Sequence, residues 1–226
     1  MIIKKTAIVL GATGLVGKSL VELLIQDDSF SKIVLLVRRA TAFKHPKIEE
    51  NLVNFEDISS YKSLIRGDVL FSCMGSTLKQ AGSKDAQYKV DFIYQYEVAK
   101  AAAENDVTDY FLVSSSGAND RSLVFYSRIK GELDEAVKKM PFEHVCIFRP
   151  SVLSGVRDKK RKGEELGAKF INGLGKLIPV LKKYRSIKGM EVAKAMITAY
   201  KKPSSKKVII YIMEEIFDLI SETKTD

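Results

Sequence analysis

Short, largely apolar runs alternate along this chain with stretches whose apolar positions recur every three or four residues. Residues 7–10, 32–37, 68–72, 110–113 and 144–148 form the runs, the pattern of strands buried on both faces. Residues 52–55 read as a weaker third strand and 208–211 as a last one. Between them, Leu15, Leu20, Leu23 and Leu24 mark a first helix, which Asp27, Asp28 and Ser29 close. Residues 85–105 predict a long second helix with an alanine-rich later half, and Ile129, Leu133, Ala136, Val137 and Met140 a third over 123–140, stopped by Pro141. Strand and helix in turn, with short links, predict an α/β fold with a doubly wound parallel sheet. Beyond Arg149-Pro150 the rhythm changes. Glycines recur at 155, 163, 167, 173 and 175, and helices are expected over 164–172, 190–200 and 214–220.

The first strand breaks directly into Gly11-x-x-Gly14-x-x-Gly17 and then into helix. A strand, a glycine turn and a helix in that order bring backbone N–H groups against a pyrophosphate. Gly11 allows the sharp exit, Gly14 the close approach of the ligand, and Gly17 the packing of helix on strand. The turn therefore predicts an NAD(P)-binding Rossmann fold, with Gly11, Thr13, Gly14, Leu15, Val16 and Gly17 on the cofactor. A rival lies in the same residues, since Ala12-x-x-x-x-Gly17-Lys18-Ser19 nearly matches a phosphate-binding P-loop. Ala12 stands where that pattern wants glycine, and the one strand offering an acid for Mg²⁺, 52–57, is interrupted by Asn54. In a dinucleotide fold, an acid at the end of the second strand would hold the free ribose hydroxyl of NAD. Arg38 and Arg39 stand there instead and suit the 2′-phosphate of NADP. After the fourth strand, Cys73, Met74 and Gly75 offer a small flexible loop for backbone passing close to the cofactor.

Tyr126 and Lys130 lie one helical turn apart on the same face. A nearby cation lowers a tyrosine pKa from about 10, and such a phenol can pass a proton to or from a carbonyl or hydroxyl oxygen while hydride moves at carbon. The spacing recurs in Tyr96 with Lys100 and in Tyr184 with Lys188. Only the middle pair follows a strand that ends in serines, Ser114-Ser115-Ser116, so position selects it rather than spacing.

Together the glycine turn, the strand-end serines, Tyr126-x-x-x-Lys130 and Arg149-Pro150-Ser-Val-Leu-Ser-Gly155 resemble the short-chain dehydrogenase/reductase superfamily, in its atypical branch. Val37-Arg-Arg39, Cys73-Met-Gly-Ser-Thr77, Ser114-Ser115 and Phe125-Tyr-Ser-Arg-Ile-Lys-Gly-Glu132 are similar, more narrowly, to the Tat-interacting-protein-like oxidoreductases, over residues 6–200. The resemblance implies Tyr126 as general acid/base and Lys130 on the nicotinamide ribose. It implies Ser115, ahead of Ser114 and Ser116, on the substrate oxygen. It also implies Asn54 and Phe55 near the adenine and backbone beyond Pro150 near the nicotinamide. Two positions depart from it. Asn54 stands where many relatives have aspartate, and Asp91 where many have an asparagine of the proton relay.

The chain has 226 residues, 46% of them hydrophobic, enough for one packed domain over 1–226. Residues 151–190 are expected as a small basic appendage on the substrate side. No apolar run reaches membrane-spanning length, and the glycines interrupting the N-terminal run argue for a strand rather than a signal peptide. Cys73 and Cys146, far apart, read as free thiols of a cytoplasmic protein, and His45 and His144 suggest no metal site. Of the net charge of +9, Arg157 to Lys188 carry +8, eleven basic residues against three acids. That charge suits an anionic small substrate or an acidic protein partner. Base stacking on nucleic acid is disfavoured, because Tyr184 is the only aromatic residue between Phe170 and Tyr200. The leading expectation is an NADP(H)-dependent oxidoreductase acting on a small carbonyl or alcohol. A cofactor-binding regulator or redox sensor, and a nucleotide-sugar epimerase, are the alternatives. A monomer and a homodimer fit the sequence equally.

Overall fold

The computed structural model describes residues 4–154, 186–202 and 204–222. Seven strands form one parallel sheet: β1 (Lys5–Leu10), β2 (Phe30–Val37), β3 (Ile48–Leu52), β4 (Val69–Ser72), β5 (Asp109–Val113), β6 (His144–Arg149) and β9 (Val208–Ile212). Their order is β3-β2-β1-β4-β5-β6-β9, all neighbours parallel. The chain leaves β1 in one direction for β2 and β3 and returns on its other side for β4 onward. The ends of β1 and β4 therefore splay their following loops apart and leave the crevice in which doubly wound sheets bind ligands.

The continuous apolar runs are explained by burial on two faces. In β1, Ala7 and Val9 pack with one core and Ile8 and Leu10 with the other, all with no exposed surface. On the first face lie α1 (Leu15–Gln26), α6 (Gly189–Lys201) and α7 (Glu214–Glu222), which contribute Leu20, Leu24, Val192, Met196, Ile216 and Leu219. On the second lie α4 (Tyr94–Glu104) and α5 (Phe125–Lys138), with Val98, Ala102, Leu133 and Val137.

Two expectations are corrected. The third strand is Ile48–Leu52 rather than 52–55. It pairs with β2 from Ile33↔Ile48 to Val37↔Leu52, and Asn54 has by then begun a turn, accepting N–H groups from Glu56 and Asp57. The long helix expected over 85–105 divides into α3 (Lys84–Tyr88), a π-turn (Lys89–Ile93) and α4, after a separate α2 (Leu78–Ala81). Of the 151–190 appendage, the described ends include two-residue strands, β7 (Leu153–Ser154) and β8 (Ile187–Lys188), paired in parallel. The helix expected over 164–172, and all but the last three residues of the basic segment 157–188, lie outside the described residues. No helix among the described residues is long and apolar enough to cross a membrane.

Candidate active site

At the β1–α1 junction the glycines act on one another. Gly11 takes a φ of +84°, and a Cβ on it would meet the Cys73 carbonyl and the Met74 nitrogen at 2.7 Å. Only glycine fits so close to the loop after β4. Gly17 packs α1 onto the turn, since its Cβ would stand 2.2 Å from the Gly11 oxygen. Gly14 is exposed, and its nearest obstacle, again the Gly11 oxygen, is 3.3 Å away. No side chain caps α1, and its first turn holds no acid. The helix start is thus open, carries the positive end of the helix dipole, and faces the crevice. These features fit a dinucleotide pyrophosphate at Gly11, Thr13, Gly14, Leu15, Val16 and Gly17.

The other predicted cofactor residues ring the same crevice. Arg38 and Arg39 are exposed just beyond β2. Arg38 acts on the Tyr94 phenol, opposing the burial and the Glu56 hydrogen bond that push Tyr94 up to about 12. Phe55 is buried, stacked 5.6 Å from Tyr94 and edge-on to Tyr61 at 5.9 Å. Asn54 is exposed and turns its side-chain oxygen to the Glu56 N–H at 3.1 Å. Glu56 itself is engaged by Lys89 at 3.0 Å and by the Tyr94 hydroxyl at 2.5 Å. The acids a P-loop enzyme would aim at Mg²⁺ therefore stand beyond the edge strand β3, bonded elsewhere. Cys73 presents backbone, its N–H bonded to the Leu10 carbonyl at 2.8 Å, and burial pushes its thiol far up. Met74 is half-buried against the α4–α5 core, and Gly75 is exposed.

The three strand-end serines part company. Ser114 is buried, its N–H bonded to the Phe148 carbonyl, and its hydroxyl turns towards Asp134 of α5. Ser115 is half-buried at the crevice end, and Ser116 is exposed with its N–H on the Pro150 carbonyl at 3.0 Å. The loop beyond is pinned to α5 by the Asn119 N–H, which donates to the Ser127 carbonyl at 3.0 Å. It runs so close over the helix that a Cβ on Gly131 would lie 2.1 Å from the Asp120 nitrogen.

Tyr126 is 38% exposed in the first turn of α5, while Lys130 one turn on is 2% exposed. Lys130 Nζ lies 3.0 Å from Asp91 Oδ1, itself fully buried. Burial works to lower the Lys130 pKa, but Asp91, Tyr126 and Asp134 together hold it above its ordinary value. The other carboxylate oxygen of Asp91 accepts both the N–H and the hydroxyl of Ser76, at 2.9 and 2.5 Å. Gln95 donates to the Asp91 carbonyl at 3.0 Å and accepts from the Ser72 hydroxyl at 2.8 Å. A second buried pair lies one turn along α5, where Arg149 reaches Asp134 Oδ2 at 2.9 Å. Sequence reasoning did not find Ser76, Gln95, Gly131 or Asp134. Polarity inside the apolar stripe of α5 was the available signal for Asp134.

The arrangement can hold a dinucleotide along the crevice and offer an exposed phenol beside a charged lysine. Comparison with known proteins bears on the family and the fold. A model of the NAD dependent epimerase/dehydratase family matches residues 7–211. Protein HTATIP2 of Rattus norvegicus is 33% identical over 193 residues, covering 81% of this chain and 79% of that protein. A mitochondrial FMP52 of Eremothecium gossypii is 33% identical over 229 residues, 97% of this chain and 99% of its own length. Among solved structures, MoeE5 in complex with UDP-glucose and NAD superposes with a TM-score of 0.69 at 13% identity, covering 97% of this chain and 82% of that one. The Bordetella bronchiseptica enzyme WbmH in complex with NAD⁺ gives 0.68 at 16% identity, covering 98% and 82%. These structures share the fold. One expectation is overturned: several fungal relatives are named as mitochondrial, so the cytoplasmic assignment fails. Free thiols persist in any reducing compartment and do not single out the cytoplasm.

Proposed function

We propose that this chain, which belongs to the NAD dependent epimerase/dehydratase family, is an NADP(H)-dependent oxidoreductase acting on a small carbonyl or alcohol. The observation that carries the reading is a buried, charged Lys130 one turn below the solvent-reaching Tyr126, beside the crevice between Gly11 and Gly75. The nicotinamide, when bound, supplies or takes up the hydride at carbon. In reduction Tyr126 gives its phenolic proton to the carbonyl oxygen and recovers one from solvent, for which its exposure suits it. Ser115 donates a hydrogen bond to the same oxygen. Lys130 holds the nicotinamide ribose and keeps a positive charge near the oxygen as negative charge develops. Arg38 and Arg39 take the 2′-phosphate.

The test is a fluorescence titration with NADPH and with NADH, repeated on Arg38→Ala/Arg39→Ala, followed by a screen of carbonyl compounds. Tight NADPH binding that collapses in the double variant, with NADH little changed, supports the NADP reading. Equal loss for both nucleotides counts against it. Absence of NADPH oxidation with every carbonyl tried counts against turnover.

The family and the nucleotide-sugar ligands of its structural neighbours favour a second reading, a nucleotide-sugar epimerase in which the cofactor stays bound through the cycle. Copurified NAD(H) together with an epimerised product would select it. Weak, freely exchanging NADPH would exclude it. The regulatory alternative rests on the basic segment 157–188, nearly all of it outside the described residues, and on the functional breadth of the atypical branch that the sequence resembles.

A further inference from the structure

The buried pair of Asp91 and Lys130 has a geometry that serves more than stability. Gly75 is exposed, and a Cβ built on it would stand 3.4 Å from Asp91 Oδ1 and 3.6 Å from Lys130 Nζ. A group lying over Gly75 thus has an anion and a cation at nearly the same distance beneath it. The π-turn at Lys89–Ile93 carries Asp91 there, between α3 and α4. π-turns recur at functional sites because they shift side chains off the regular helical stripe. Ser76 and Gln95 hold the carboxylate and its backbone in place from the β4 loop and from α4. Asp134, which also acts on Lys130, is itself paired with Arg149 at 2.9 Å.

The oxidised nicotinamide ring carries a positive charge that the reduced ring lacks. A lone buried cation beside it would therefore favour the reduced cofactor, and strongly, because charges out of water are weakly screened. We infer that Asp91 sets the balance between oxidised and reduced cofactor, cancelling the Lys130 charge so that the cationic ring is not turned away. Asp91 is in this sense a positioning and charge-balancing residue, acting on the cofactor through Lys130 and directly across Gly75. The inference rests on the nicotinamide reading of the crevice. It gives the departure from asparagine at position 91 a chemical consequence.

Calorimetric titration of the whole chain with NADP⁺ and with NADPH reads the effect without turnover. In Asp91→Asn the ratio of Kd for NADP⁺ to Kd for NADPH rises about tenfold. In Lys130→Met it falls, and in the double variant it returns towards the wild-type value. A general loosening of the site weakens both nucleotides alike and leaves the ratio in place. A ratio within twofold of wild type in Asp91→Asn, with binding retained, overturns the inference while sparing the cofactor reading. Where circular dichroism shows Asp91→Asn unfolded, Lys130→Met decides, and an unchanged or raised ratio there overturns it. A wild-type preference for NADPH above about a hundredfold also overturns it, since a balanced pair cannot produce one of that size. Failure of both nucleotides to bind the wild type overturns the cofactor reading and this inference together.

Discussion

Gly17 lies against the carbonyl oxygen of Gly11 so closely that a Cβ at 17 would be 2.2 Å from it, whereas the same atom at Gly14 would keep 3.3 Å from that oxygen. The two glycines therefore do different work. Gly17→Ala forces backbone apart between β1 and α1, and its expected cost is about 1–3 kcal/mol of stability, read as a lower denaturation midpoint. Gly14→Ala asks the Gly11 carbonyl to yield a few tenths of an ångström and leaves the fold nearly as stable. Its new methyl instead stands in the exposed crevice, so NADPH affinity falls at least tenfold while the melting temperature holds. Equal stability losses in the two variants would refute the division.

Gly131→Ala poses a competition that magnitudes decide. Alanine is favoured over glycine inside a helix by about 1 kcal/mol. Against that, its Cβ would fall 2.1 Å from the Asp120 nitrogen and 2.3 Å from the Asn119 carbonyl carbon. Backbone at that range cannot move aside as a flexible side chain does, and the loop beyond Ser116 must lift. The variant is expected to be less stable by about 1–3 kcal/mol and to lose turnover, with NADPH binding reduced less. Thermal unfolding and cofactor titration side by side check this. A stabilised protein would mean that the loop does not press on α5.

Asp27 ties the end of α1 to α6. Its carboxylate accepts from the Ser29 hydroxyl at 2.6 Å and pairs with Lys201 at 2.7 Å. Burial works to raise its pKa, but the bonds from Lys201 and Ser29 outweigh burial and leave it lowered. A carboxyl with a folded pKa below its unfolded value of about 3.9 stabilises the fold above that pH and loses the contribution as pH falls through the folded value. Lys201 is half exposed, which keeps the effect to about 1 kcal/mol. The stability gap between wild type and Asp27→Asn should stay constant from about pH 8 to 5 and close below about pH 4. Urea unfolding across that range measures it, and a gap that widens on acidification would be the wrong sign.

How legible each part was depended on how much side-chain pattern the physics required. Strands buried on two faces must be apolar throughout, so β1, β2, β4, β5 and β6 were readable nearly to the residue. The edge strand β3, Ile48-Glu-Glu-Asn-Leu52, has polar residues along it and no apolar run. The apolar pair Val53 and Phe55 just beyond it packs beneath α4 and drew the assignment four residues late. Tyr126 and Lys130 were readable because their spacing and their place after β5 restrict one another. The resemblance placed Asp91 at the relay position, but its pairing with Lys130 was not readable, because a π-turn inserts its extra residue without requiring any residue type.

The serines after β5 allow the sharpest division of roles. Ser114 lies inside, its hydroxyl turned towards the Asp134 carboxyl, whose pKa burial raises in spite of Ser114 and Arg149. Ser115 is half-buried at the crevice end of the strand. Ser114→Ala removes a buried hydroxyl that has no hydrogen-bond partner among the described residues, beside an acid that Arg149 still pairs. Its expected cost is within about 1 kcal/mol of stability, with kcat on a confirmed carbonyl substrate unchanged. Ser115→Ala leaves stability within about 0.5 kcal/mol and removes a donor from the substrate oxygen. Loss of one such donor costs about a hundredfold or more in kcat, with NADPH affinity intact. Tyr126→Phe sets the scale for that comparison, since loss of the acid/base group costs about 10²–10⁴-fold in kcat. Steady-state kinetics and thermal unfolding of the three variants separate the cases. If Ser114→Ala lost turnover and Ser115→Ala did not, the substrate oxygen would have to lie on the α5 side of the strand end, over Asp134.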